Sequence, residues 1–88
     1  MLSEQVLKWK FILWVFKVYG SKILHVVEIP EENILCFIVD EKTDLIDDMA
    51  AFVRKIKLPG LSVVAVPCYA EDSDASRYII VELQYEDE

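Results

Sequence analysis

The apolar positions of this chain keep two rhythms, one near 3.6 residues and one near 2, with short polar breaks between them. The helical rhythm is clearest between Asp44 and Lys57. There Leu45, Ile46, Met49, Phe52, Val53 and Ile56 follow steps of three, four and seven and form one stripe. Thr43 or Asp44 suits the N-cap, and Asp47 and Asp48 complement the free N–H groups of the first turn. Arg54, Lys55 and Lys57 sit at the carbonyl end, and Pro59-Gly60 stops the helix.

Strand rhythm brackets this helix. Lys22–Ile29 and Ile34–Asp40 are rich in β-branched residues, with Pro30-Glu-Glu-Asn33 as the turn between them. Leu61–Tyr69 is a nearly continuous apolar run, and Pro67 in it marks a strand end or an edge strand. Tyr78–Tyr85 places apolar residues at 79, 81, 83 and 85 against Glu82 and Gln84. The polar stretch from Ala70 to Arg77 reads as an exposed loop.

Two structures suit the N-terminal segment. As a helix it would be capped by Ser3 and ended by Gly20 in the left-handed conformation, but its apolar residues from Val6 to Tyr19 point around the whole circumference. As a strand, Trp9–Tyr19 closes on Ile23–Ile29 through a Gly20-Ser21 turn. That register opposes Val18 to Ile23, Phe16 to His25, Trp14 to Val27 and Ile12 to Ile29 on one almost wholly apolar face. The face sorting favours the strand. The expected class is therefore α+β, a small antiparallel sheet of four to five strands built from hairpins with one amphipathic helix. The order βββαββ is preferred, and αββαββ is the alternative with an N-terminal helix.

Composition narrows the picture. Eighty-eight residues make a single domain, residues 1–88, and 55% apolar content with a net charge of −7 describes a chain that folds. So small a domain cannot hide all of this apolar surface by itself, which points to a partner, with a second copy the simplest. Residues 1–30 carry four lysines against two acids, whereas residues 31–88 carry fourteen acids against five basic residues. Such acidity disfavours direct nucleic-acid binding. The longest unbroken apolar stretch near the start, Phe11–Phe16, is six residues, too short to span a bilayer or to serve as a signal segment. A cytoplasmic protein is expected.

Recognisable chemistry is sparse. His25, the one histidine, lies between Leu24 and Val26 on a strand, and a pairing with Cys68 as nucleophile has nothing in the sequence to bring it together. Cys36 and Cys68 sit in apolar runs and read as small core residues, with a bridge between neighbouring strands left open. Asp72, Asp74 and Ser76 open like a calcium loop, but Arg77 stands where glycine is needed and Leu83 where the closing glutamate belongs. The acids Asp40, Glu41, Asp44, Asp47 and Asp48 gather where they would cap the helix and complement its dipole. One histidine and two scattered cysteines form no zinc set, and two glycines cannot build a phosphate loop. No metal, cofactor or catalytic residue is assigned.

The leading expectation is a non-enzymatic, self-associating protein-interaction module, a dimer first: a sheet covered on one face by the helix 44–57, its edge or face the contact surface, with Trp9, Phe11, Trp14 and Phe16 as anchors. The interleaving of these aromatics with Lys8, Lys10 and Lys17 also suits a membrane interface or single-stranded nucleic acid. A rival expectation is an acidic regulator that occupies a basic site on a nucleic-acid-binding protein through Glu71, Asp72, Asp74, Glu82, Glu86 and Asp87. A third is a small-ligand or metal-responsive domain using His25 or the acidic loop.

Overall fold

The computed structural model describes residues 3–39, 45–69 and 77–86. Its order is α1 (Glu4–Tyr19), β1 (Ile23–Ile29), β2 (Ile34–Val39), α2 (Leu45–Lys55), β3 (Leu61–Tyr69) and β4 (Arg77–Tyr85). The class is α+β, as the rhythms imply, with the αββαββ order. The strand reading of residues 9–19 is overturned, and with it the proposed pairing across Gly20-Ser21.

The physical reason lies in the two sides of α1. Leu7, Phe11 and Val15, four residues apart, are buried together with Ile12. Val6, Trp9, Leu13 and Phe16, at steps of three, four and three, stand on the opposite side of the same helix and are exposed. Two opposed stripes cancel, so a test for one apolar face fails on a helix that has two. Ser3 caps α1 as the helical reading requires, its Oγ accepting from the Val6 N–H at 3.2 Å. Gly20 is not left-handed (φ −55°); it continues α1 into a 3-10 turn over Gly20–Lys22.

The sheet order is β1-β2-β4-β3, antiparallel throughout. Since β2 and β3 both run antiparallel to β4, they are parallel to each other, and α2 is the crossover of a split βαβ unit. A second 3-10 turn over Pro30–Glu32 joins β1 to β2 and ends at Asn33 in the left-handed region (φ 56°). Gly60, at φ +91°, makes the turn into β3, where a side chain would be strained. Pro67 lies on β3, an edge strand.

Both helices cover one face of the sheet. Phe11 of α1 meets Phe37 of β2 with ring centroids 6.4 Å apart and tilted by 57°, and Lys8 pairs with Glu28 of β1. Ile46, Met49, Ala50 and Val53 of α2 complete a core with Leu35, Phe37, Val39, Ile79, Val81 and Leu83. Tyr19 and Phe52 meet edge to face at 5.5 Å where the helices touch. Arg54 Nη1 donates to the Ala65 carbonyl at 3.0 Å and ties α2 to β3. Among the described residues no buried core position is polar or charged. The expected caps Thr43 and Asp44 lie outside the described residues.

Candidate functional site: an uncovered apolar sheet face

Strand alternation sends the residues between the core positions to the other face, which neither helix covers. The pairing registers align three rows across all four strands: Ile29, Ile34, Glu82 and Val64; Val27, Cys36, Ile80 and Val66; His25, Ile38, Tyr78 and Cys68. The middle row is apolar from edge to edge. Val27, Ile29, Val64, Val66 and Ile80 are 36–50% exposed. Beyond the first row the face turns polar, where Gln84 pairs with Ser62 and Ser62 Oγ donates to Glu86. An apolar centre with one polar end is the anatomy of a contact surface.

The face also decides the status of three residues marked for chemistry. Cys36 and Cys68 are free, half-exposed and on this face, not in the core as expected. They stand on β2 and β3 with β4 between, two strand spacings (about 10 Å) apart and so beyond disulfide reach. Burial, and then the charge of Cys68, raises the Cys36 pKa above the ordinary 9.0. His25 is exposed on edge strand β1, and Cys68 lies in the same row on edge strand β3. Three strand spacings, about 14 Å, separate them, so they form no catalytic pair.

The four aromatic candidates do not share a surface. Phe11 is fully buried beside Phe37, so its assignment as an anchor is corrected to a core role. Trp9, Trp14 and Phe16 are exposed on α1, on the helical layer and away from the open sheet face. Of the acidic candidates, Glu82 is exposed on the open face and Glu86 accepts from Ser62. Glu71, Asp72, Asp74 and Asp87 lie outside the described residues, as do positions 72–76 of the stretch tested for calcium, whose remainder, 77–83, runs along β4.

Two concavities lie among the described residues. One, of about 210 Å³, gathers Glu4, Lys8, Glu28 and Tyr85 beside Pro30 and Asn33. Its lysine is already held by Glu28, and burial, with Glu4 and Glu28 adding, pushes the Tyr85 pKa above 10.0. The other is an open groove between the end of α2 and the turn into β3, lined by Arg54, Lys57, Gly60 and Ser62. Among the described residues no three histidine, cysteine or carboxylate groups stand together as metal ligands, and no helix is long and apolar enough to cross a membrane.

The signal for the open face was in the sequence. Strand β2, Ile34–Val39, has no polar residue, and β3 has only Ser62 before Pro67. Antiparallel strands wetted on one side alternate, whereas strands covered on both sides read as continuous apolar runs. Comparisons of the chain with protein-family models, with curated proteins and with solved structures find no match.

Proposed function

We propose that this chain is a non-enzymatic protein-interaction module that self-associates, two copies packing open sheet face to open sheet face. The observation that carries the reading is the apolar row Val27, Cys36, Ile80 and Val66, which runs across four strands with nothing over it. With its half-exposed neighbours it offers roughly 500 Å² per copy, at the upper end of what a monomer leaves bare. Two copies together bury about 1,000 Å², the lower bound for a specific interface. Twofold symmetry lets one patch serve both partners, as sheets do when they stack about 10 Å apart in sandwiches.

Light scattering coupled to size exclusion, at low and high salt, tests this. A dimer that persists in high salt is expected, because apolar burial is not screened. A monomer at both salts removes the proposal. A dimer that dissolves as salt rises would instead favour a contact in which the acidic residues of one copy meet the lysines of the other.

A further inference from the structure

Helix α1 leaves a second apolar surface on the opposite layer, and we propose that it binds in the plane of an anionic lipid surface. The helix has 16 residues, about 24 Å in length. Its outer side carries Val6, Trp9, Leu13, Trp14 and Phe16 at 38–65% exposure, and Lys10 and Lys17 are exposed within the same arc. Both tryptophans of the chain are here. Lys17 Nζ stands 5.8 Å from the Trp14 ring centroid, and Lys8 Nζ stands 5.7 Å from that of Trp9.

Position on the helix separates a lipid from a protein occupant. On the helical circumference Lys10 and Lys17 fall between Leu13 and Trp14, inside the apolar arc. A packed protein surface would have to set a carboxylate opposite each ammonium group, because burying either unpaired is costly. In a bilayer interface their stems lie along the acyl chains while the ammonium groups reach the phosphates, and the Trp rings take the headgroup level. A second copy fits worse, since antiparallel pairing of two such stripes sets lysines against lysines.

Charge agrees. Among the described residues, the two helices and the segments directly after them expose six cations against three carboxylates, Glu4, Asp47 and Asp48. This is the basic side of a chain whose net charge is −7. Juxtaposed lysines are each worth about 1 kcal/mol, roughly fivefold, at an anionic surface. The contact is independent of the sheet-face dimer, which leaves the outer side of α1 uncovered on both copies.

The test uses the full chain with vesicles of phosphatidylcholine alone or with phosphatidylserine added. The account expects co-sedimentation and a blue shift of tryptophan emission with the anionic vesicles, weak effects with the neutral ones, and release as salt rises. Leu13→Asp should weaken binding by at least about tenfold, and the exposed pair Lys10→Glu/Lys17→Glu should abolish the anionic preference, with circular dichroism unchanged. Val66→Asp, on the open sheet face, should leave lipid binding within a few-fold, so failure of the dimer reading and failure of this one are told apart. Absence of binding to anionic vesicles by the folded chain overturns the proposal, as does binding that Leu13→Asp leaves intact. If Leu13→Asp instead dissociates an oligomer of the free chain, the stripe is a protein contact and the proposal falls.

Discussion

Phe11 and Trp9 are two residues apart and should respond oppositely to truncation. Phe11 is fully buried and its ring packs on Phe37, so Phe11→Ala removes a whole aromatic side chain from the core. Such cavities cost about 3–4 kcal/mol. Trp9 is 52% exposed and its loss costs under about 1 kcal/mol. With a urea slope of about 1 kcal/mol per molar for so small a domain, Phe11→Ala should lower the unfolding midpoint by about 3 M, and Trp9→Ala by less than about 1 M. Urea titrations followed by circular dichroism at fixed protein concentration measure both. A double cycle with Phe37→Ala should show about 1 kcal/mol of coupling, the worth of a tilted aromatic pair. Equal losses at positions 9 and 11 would refute the reasoning, because a strand puts i and i+2 on the same face.

Other positions give sharper local readings. Gly60→Ala forces a side chain into φ +91° and should cost about 1–2 kcal/mol, whereas Gly20→Ala, at helical φ beside the movable Phe16 ring, should stay within about 1 kcal/mol of the parent. Thermal melts compare the two. Ser3→Ala removes the α1 cap and should cost about 1 kcal/mol, visible as early loss of helical ellipticity. Cys36 and Tyr85 both hold their protons more tightly folded than unfolded, because burial raises each pKa. Their contribution is therefore complete below about pH 9 and lost as pH climbs through their raised folded values. Melting temperatures should fall above pH 9, and Cys36→Ala should flatten the first part of that decline. A flat or rising profile would contradict the assigned directions.

What the chain discloses before folding depends on how each element meets water. Helix α2 has one wet side, so its stripe and its charged ends are legible directly. The hairpins β1-β2 and β3-β4 are legible from β-branched runs and polar turns, because they need only local pairing. Helix α1 is not legible as a helix, because Leu7, Phe11 and Val15 face the core while Val6, Trp9, Leu13 and Phe16 face outward, and an all-round apolar pattern also fits a strand. The continuous apolar runs of β2 and β3 hint at an open sheet face, but which residues share its rows is not legible, because the face is assembled by non-local pairing. Val66 meets Val27 in one row only when β4 inserts between β2 and β3, and no local pattern encodes that order. The core reading of the cysteines fails because an apolar run does not say which face of a sheet each residue takes.

The central claim, that the open sheet face is where two copies meet, can be read from the thiols it carries. Cys36 and Cys68 lie in its middle and outer rows, while both tryptophans lie on the opposite layer. The measurement is the alkylation rate of the reduced, native chain across a wide range of protein concentration, with acrylamide quenching of tryptophan recorded in the same samples. The account predicts thiol modification that slows as concentration rises, with quenching unchanged and Val66→Asp abolishing the slowing. Alkylation rates independent of concentration, or protection of the tryptophans in place of the thiols, would contradict it.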